Sequence, residues 1–426
     1  MPAGAVANGE PNDRRFERIE LPNGIVVLGQ AQPGDPAISV RLRSAGGAQL
    51  DPDGKDGLAY LTGRMLRGSG GRTFEEINDI TDGLGASIGV GPGKINADLS
   101  FKCLIEDLPQ MLDLAAAALR SPDFPTTNSR KIRKETLGAI RDRQDSTGAR
   151  ADRAMREQIV PIGHPLRRQT MGEPETINAI AREDLVAFHA ANFGPGVLTV
   201  SIVGGIDSVE DAAGMIAERF AGWDSPATRP PDAPGIDPVA ATHRVDDNIA
   251  GKSQSDLVIG YPTLLRHDPD YFPLELGNMI LGRLGLAGRL GANVRDKQGL
   301  AYHVSSSVDA GRTVSTWTAR AGVDPANVDR TIESIQSEVE RLRNELVTEE
   351  ELADAKSFMT GSVPLALERN DGIADLLLSI EHHRLGLDYL DRYPTLINAV
   401  TRGQILAAAH KHLDESRLAI GVSGPA

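Results

Sequence analysis

Apolar and polar side chains alternate along several short segments of the chain, as they do in half-buried β-strands. Residues 23–31 and 37–45 are rich in β-branched side chains and show this strand-like pattern. The clearest case is residues 95–103, in which every second side chain is apolar. The apolar face holds Ile95, Ala97, Leu99, Phe101 and Cys103, and the polar face holds Asp98, Ser100 and Lys102. All three segments are predicted to be strands.

Amphipathic helices are predicted after these strands, from Leu108 to Leu119 and from about Ser129 to Arg143. Strands and helices come in clusters rather than in strict alternation along the chain. That order is typical of α+β proteins, in which helices pack on a largely antiparallel sheet. The predicted fold class is therefore α+β.

The sequence repeats itself at a spacing of about 220 residues. Residues 175–205 and 395–424 align at one constant offset, which places Ile177-Asn178-Ala179 on Ile397-Asn398-Ala399 and Arg182 on Arg402. Each stretch describes a helix followed by a β-rich strand that ends at a glycine. Internal repeats indicate duplicated structural units. The chain is predicted to consist of two homologous halves, each a sheet packed with helices.

A proline-rich segment separates the two halves. Residues 225–238 read SPATRPPDAPGIDP and contain five prolines, which stiffen a chain and remove backbone donors. We predict an N-terminal domain over residues 14–224, a linker over 225–240 and a C-terminal domain over 241–426. The alternative is a long loop inside one domain.

Composition narrows the function classes. Apolar residues make up 40% and charged residues 24% of the chain, which is ordinary globular usage. The net charge of −14 argues against a nucleic-acid partner, and no apolar run is long enough to span a membrane. A single cysteine excludes an intramolecular disulfide, and residues 1–15 lack the features of a secretion signal. We expect a soluble protein; periplasm and cytoplasm both stay open, with the periplasm slightly favoured.

Residues 57–70 read GLAYLTGRMLRGSG, an amphipathic stretch that is closed by glycines. The segment resembles the metal-binding helix of the pitrilysin/insulinase (inverzincin) metallopeptidases, whose pattern is His-x-x-Glu-His. Tyr60 and Arg64 stand at the two histidine positions of that pattern, and Gly63 stands at the glutamate position. Ala139 stands where the family has its third ligand, a Glu. A guanidinium has no free lone pair, Gly and Ala carry no ligand atom, and a phenol ionises only near pH 10. No zinc site or cofactor is expected in this chain.

Residues 281–302 read LGRLGLAGRLGANVRDKQGLAY and resemble a second family element, which ends in GLAY. In that family an Arg and a Tyr seven positions apart act on the substrate across a cavity from the zinc. Arg295 and Tyr302 match both residue types and their spacing. The resemblance implies that Tyr302 donates a hydrogen bond to the oxyanion and that Arg295 holds a substrate carbonyl. Alternatively, Arg295 complements a helix C-terminus that is closed by Gly299, and Tyr302 is an ordinary strand residue.

Two weaker features have equally plain alternatives. The glycine repeat that includes Gly285 and Gly288 resembles the substrate-contacting loop of non-catalytic mitochondrial processing peptidase subunits, although simple turn chemistry accounts for it as well. The Arg-rich and Lys-rich stretch over residues 130–156 is either a solvated helix face or a surface that faces an acidic partner.

The resemblance implies the non-zinc subunit of a heteromeric zinc metallopeptidase that cleaves peptides inside an enclosed cavity. The expected partner is a paralogous subunit that binds zinc, in a heterodimer or a dimer of heterodimers, and the chain alone is expected to be inactive. Two alternatives belong to other classes. One is a catalytically silent structural subunit, and the other is a module that captures peptides by strand addition.

Overall fold

A computed structural model describes residues 16–68, 70–237 and 239–426. Two sheets form the framework, one of six strands in the order β1-β2-β6-β3-β5-β4 and one of five in the order β7-β11-β8-β10-β9. The strands are β1 (Glu17–Glu20), β2 (Val26–Ala31), β3 (Ala37–Ser44), β4 (Ser87–Pro92), β5 (Ala97–Leu104), β6 (Leu198–Gly204), β7 (His243–Asp246), β8 (Ser255–Pro262), β9 (Ala301–Ala310), β10 (Ser315–Val323) and β11 (Ala419–Ser423).

Helices connect the strands and cover the sheets. They are α1 (Leu58–Met65), α2 (Phe74–Gly83), α3 (Leu108–Arg120), α4 (Thr126–Gln144), α5 (Thr147–Ile159), α6 (Pro174–Ala179), α7 (Arg182–Asn192), α8 (Val209–Arg219), α9 (Tyr271–Asn278), α10 (Val328–Asn344), α11 (Glu349–Ala366), α12 (Asn370–His382), α13 (Tyr389–Ala399) and α14 (Arg402–His412). Two π-helical segments, Met279–Arg283 and Gly291–Lys297, lie between α9 and β9. No helix in the described part of the chain is long and apolar enough to cross a membrane.

The two sheets share one topology, which confirms the predicted duplication and the α+β class. In each sheet one pair of strands is parallel, β2 with β6 and β7 with β11, while the remaining pairs of the five equivalent strands are antiparallel. Helices α7 and α14 begin at Arg182 and Arg402, the two residues that the sequence repeat aligned. The predicted domain boundaries are not tested by this agreement and stay a prediction. The prediction that residues 1–15 lack the features of a secretion signal concerns residues outside the described part of the chain.

Each sheet has a core on one face that is built from its own half. Leu42, Leu99 and Phe101 of the first sheet are almost fully buried beneath apolar side chains of α1, α3, α7 and α8. Ile259 and Trp317 occupy the equivalent face of the second sheet and contact apolar side chains of α9, α10 and α14. The apolar side of residues 95–103 thus lies in the first core, as predicted. Ile95 is the exception, because its side chain is 38% exposed.

The opposite faces are covered by an exchange of helices between the halves. Helix α5, from the first half, packs on β8 and β11 of the second sheet, where Ala151 and Met155 are fully buried. Helix α12, from the second half, packs on β2, β3 and β6 of the first sheet and buries Ile373 and Leu377 there. Gly421 of β11 allows this approach, because a Cβ at that position would collide with the α5 backbone.

Candidate functional site

Helix α1 carries three of the four degenerate metal positions. The buried Asp51 carboxylate fixes the start of the helix by accepting hydrogen bonds from the backbone N–H groups of Gly57 and Ala59, at 2.8 and 2.7 Å. Burial raises the pKa of this carboxyl to about 7, although the two hydrogen bonds act in the opposite direction. Leu58, Leu61 and Met65 face the core, as their spacing predicted, so that Tyr60 and Arg64 project from the other side of the helix.

Strand β4 closes the space beside Gly63. A Cβ built on Gly63 would lie 2.7 Å from the Cβ of Pro92, closer than two non-bonded carbon atoms approach in proteins. A glutamate at this position would therefore displace β4 before its carboxylate could reach solvent. The packing of Pro92 against the helix was not foreseen from the sequence, because nothing local links two positions so far apart in the chain.

Arg64 links α1 to α4 through an ion pair. Its guanidinium lies 2.9 Å from a carboxylate oxygen of Glu135 and 3.3 Å from the hydroxyl of Tyr60. Glu135 precedes Ala139 by one helical turn on α4, so the ion pair bridges the two helices that the family's zinc would join. Glu135 was not predicted as part of this site. Its only indication in the sequence is the spacing of four residues from Ala139, which places both on one face of a helix.

The four degenerate positions do not fit a zinc ion. Zinc prefers thiolate, imidazole and carboxylate ligands, whereas this set offers a phenol, a cation and two positions without ligand atoms. The one cluster of three potential ligands among the described residues is elsewhere, at Asp268, Asp270 and His412. There Asp270 already pairs with Lys411 at 2.8 Å and with His412 at 2.9 Å, so its charge is compensated by side chains.

Arg295 and Tyr302 lie at the two ends of the segment that leads into β9. Arg295 belongs to the π-helical segment Gly291–Lys297 and is exposed, and the chain turns after it at Gly299, whose φ is +65°. In the β9–β10 ladder Ala301 pairs with Val323 and His303 with Gly322, which leaves Tyr302 unpaired between them at a β-bulge.

The bulge affects the orientation of Tyr302, since bulges re-aim side chains and are common beside active sites. Its side chain is 67% exposed on β9, the edge strand of the second sheet. Within the described part of the chain, neither Tyr302 nor Arg295 has a side-chain hydrogen bond or ion pair. Both groups are thus available for an external partner, and their assignment as catalytic stays a prediction.

The glycine repeat forms a tight loop between the two π-helical segments. Gly285 adopts a φ of +61°, and a Cβ on Gly291 would collide with the Gly285 carbonyl oxygen, so both positions require glycine for conformation or packing. Gly288 is buried, and a Cβ at this position would lie 3.1 Å from the carbonyl oxygen of Leu281. These constraints support the turn interpretation of the repeat, and substrate contact by Gly285 and Gly288 stays a prediction.

An ion pair between the buried Arg289 and the partly exposed Glu351 anchors this loop to α11. The Arg289 guanidinium contacts both carboxylate oxygens of Glu351, at 2.7 and 2.8 Å. These hydrogen bonds hold the pKa of Glu351 down at about 2. Between the loop and α11 lies a cavity of about 370 Å³, lined by apolar groups that include Leu284 and Phe358. The loop is therefore a fixed wall of this cavity.

Comparisons with known proteins agree with the fold. Residues 179–359 match the family model described as the peptidase M16 inactive domain. The crystal structure of a peptidase M16 inactive domain from Pseudomonas fluorescens superimposes with a TM-score of 0.90 at 27% identity, covering 97% of this chain and 98% of that one. The chain is a relative of the M16 peptidases. This finding confirms the resemblance that was drawn from the GLAY segments.

Two curated proteins with similar sequences have different descriptions. An "uncharacterized zinc protease" of Streptomyces coelicolor is 24% identical over 365 residues, which cover 84% of this chain and 79% of that protein. A "probable mitochondrial-processing peptidase subunit beta" of Arabidopsis thaliana is 20% identical over 95% of this chain and 77% of that protein. This chain is thus similar to inactive M16 peptidase domains and, more distantly, to a processing-peptidase subunit.

Proposed function

We propose that this M16-type chain is the non-zinc subunit of a two-chain metallopeptidase, whose zinc is bound by a paralogous partner. One contrast between the two halves of the chain carries the proposal. At α1 the metal positions are closed by Pro92 and by the Arg64–Glu135 ion pair, whereas Arg295 and Tyr302 are exposed and lack partners in the described structure. The second half thus retains side chains that could act on a substrate, whereas the first half has lost its metal ligands.

The proposed chemistry follows from the donors. The Tyr302 hydroxyl donates a hydrogen bond to the oxyanion that forms when water attacks the scissile carbonyl of a peptide. The Arg295 guanidinium holds a neighbouring substrate carbonyl, which is present before the reaction begins. A donor that acts on developing charge lowers the activation free energy, while a clamp on the ground state mainly increases affinity. Water activation belongs to the partner's zinc site.

The test uses this chain together with a paralogue that has an intact His-x-x-Glu-His helix. We expect the two chains to form a stable complex, and we expect peptide cleavage only after mixing. Steady-state cleavage of one fluorogenic peptide then compares wild-type complexes with Tyr302→Phe and Arg295→Ala complexes of equal zinc content. Tyr393→Phe is the matched control, because it removes a phenol hydroxyl that has no hydrogen bond in the described structure and lies far along the chain in α13.

The two variants are expected to differ in which kinetic constant changes. Tyr302→Phe should lower kcat by about 10²–10³-fold and leave KM nearly unchanged, as for other oxyanion donors. Arg295→Ala should raise KM as well. If no complex forms, or mixing yields no activity, the subunit proposal is wrong and the structural alternative is favoured. If Tyr302→Phe keeps wild-type kcat, the Arg/Tyr pair is not catalytic.

A further inference from the structure

Two cavities of about 390 and 400 Å³ lie side by side between the two halves. They share walls formed by Ile95, Leu166, Gly311 and Val314, and together we call them the inter-half cleft. Equivalent elements of the duplicated fold meet there, because the cleft lies between the β4–β5 turn and the β9–β10 turn. Helix α5 lines the first cavity, and residues 229–233 of the proline-rich segment line the second.

The cleft contains four cationic side chains without an acidic partner. In the first cavity these are Arg143 and Lys94. Among the described residues, the Lys94 ammonium group donates only to the carbonyl oxygen of Leu166, at 2.7 Å. In the second cavity they are Arg229 and Arg384. None of the three arginines has a side-chain hydrogen bond or ion pair within residues 16–68, 70–237 and 239–426. Each cavity thus presents two cationic side chains that form no ion pair in the described structure, although Glu381, which is itself paired with Arg18, lies near enough to Arg229 to act on its charge.

The acidic residues of the cleft do not compensate them. Three of the four lining carboxylates are already paired with arginines, and Asp309 alone among them has no ion pair in the described chain. The pairs are Asp152 with Arg156 and Arg320, Glu157 with Arg153 and Arg167, and Asp232 with Arg312. Four free cations therefore face one free carboxylate, in a protein whose net charge is −14.

Lys94 is partly buried, and this burial disfavours its charged form. Burial of its ammonium group, together with the nearby Arg156 and Arg143, lowers the pKa of Lys94 to about 8, against the opposing effect of Asp152 and Asp309. A bound anion would relieve both the desolvation and the repulsion.

We infer that the inter-half cleft binds an acidic peptide segment, with its carboxylates at Lys94 and Arg143 in one cavity and at Arg229 and Arg384 in the other. The apolar wall between the cavities favours a peptide over a uniformly charged polyanion. Ile95, Leu166 and Val314 can contact an uncharged stretch between two acidic clusters. The inference rests on the proposed function only in taking the ligand to be a peptide, and it names the charge of that peptide.

The test is equilibrium binding to the full isolated chain, without any partner subunit. The probe is a fluorescent peptide with two Asp/Glu clusters around an apolar stretch, and its comparison peptide carries Asn and Gln in their place. We expect the acidic peptide to bind, the amide peptide to bind at least tenfold more weakly, and the affinity to fall with ionic strength. Lys94→Met and Arg229→Met should each weaken binding roughly tenfold, as expected for loss of one charge-assisted contact.

Lys131→Met is the matched control, because Lys131 is an exposed lysine on α4 that does not line the cleft. Unfolding midpoints of all variants verify that they are folded. Unchanged affinity in Lys94→Met and Arg229→Met would overturn the site. Equally tight binding of tripolyphosphate, or of a short DNA strand, would overturn the peptide assignment. Because the assay contains no partner subunit, its result stays valid if the two-chain proposal is wrong. Conversely, a lack of peptide binding would not contradict the proposed role of Tyr302.

Discussion

Replacing Gly63 with Ala tests whether β4 closes the degenerate metal position. Gly63 is buried two residues before the end of α1, and its added methyl group would meet the Cβ of Pro92 at 2.7 Å. The proline ring is rigid, so the contact is relieved only by a shift of β4 or of the helix. The matched control is Gly138→Ala on α4, where a Cβ would have no neighbouring atom within 4 Å.

The two substitutions are expected to differ in their effect on stability. Gly to Ala within a helix favours folding by about 1 kcal/mol, and this gain is common to both variants. Overpacking at Gly63 costs about 1–3 kcal/mol, which offsets or exceeds the gain. The difference between the variants therefore isolates the contact with Pro92, and Gly138→Ala should be the more stable by about 1–3 kcal/mol.

The measurement is denaturant unfolding followed by circular dichroism, with wild type and both variants under identical conditions. We expect the midpoint to rise for Gly138→Ala and to stay level or fall for Gly63→Ala. An equal rise in both variants would refute the packing argument, because it would show that a side chain fits beside Gly63. The position would then be open to a larger residue, and the contrast between the two halves would lose one of its two supports.

Two further predictions concern ion pairs. Glu351→Gln should destabilise the protein by about 3 kcal/mol, because it leaves the buried Arg289 guanidinium, whose side chain is 6% exposed, without its counter-charge. Since the folded-state pKa of Glu351 is about 2, against an ordinary value of 4.5, the wild type should lose this advantage as pH falls from about 4.5 towards 2, and unfolding midpoints should converge with those of the variant. Arg64→Met should cost less than about 1 kcal/mol, and less still in high salt, because the Arg64 and Glu135 side chains are 31% and 44% exposed. A loss above 2 kcal/mol, measured by the same unfolding assay, would show that the ion pair is a major link between α1 and α4.

Features that repeat along the chain could be predicted from the sequence. Residues 95–103 form part of β5 and its turn because alternation is a local property that the sheet preserves. The helix predicted from Leu108 to Leu119 ends one residue later, at Arg120. The helix predicted from about Ser129 begins at Thr126, directly after Pro125. The constant offset between Arg182 and Arg402 reflects two copies of one topology.

Contacts between distant segments could not be predicted. Pro92 and Gly63 touch because β4 packs on α1, and neither residue signals this packing alone. The positive charges of residues 130–156 were predicted to form either a solvated helix face or a surface that faces an acidic partner, whereas the structure gives individual members different surroundings. Arg150 pairs with Asp247 across the two halves, whereas Arg143 lines the cleft and forms no ion pair with any described residue. Such differences depend on tertiary neighbours that a pattern of charges along one helix does not contain.

The exchange of helices also constrains how the inter-half cleft can work. To swing the halves apart, α5 would have to leave the second sheet or α12 the first, and each departure exposes an apolar face. Met155 and Ile159 on one helix, and Ile373 and Leu377 on the other, would each cost about 1.5–3 kcal/mol to expose. Losing even one helix contact thus costs about 3–6 kcal/mol, which keeps the open form below about one molecule in a hundred. A ligand of the cleft must therefore enter a space of nearly fixed width, which favours an extended peptide over a folded protein.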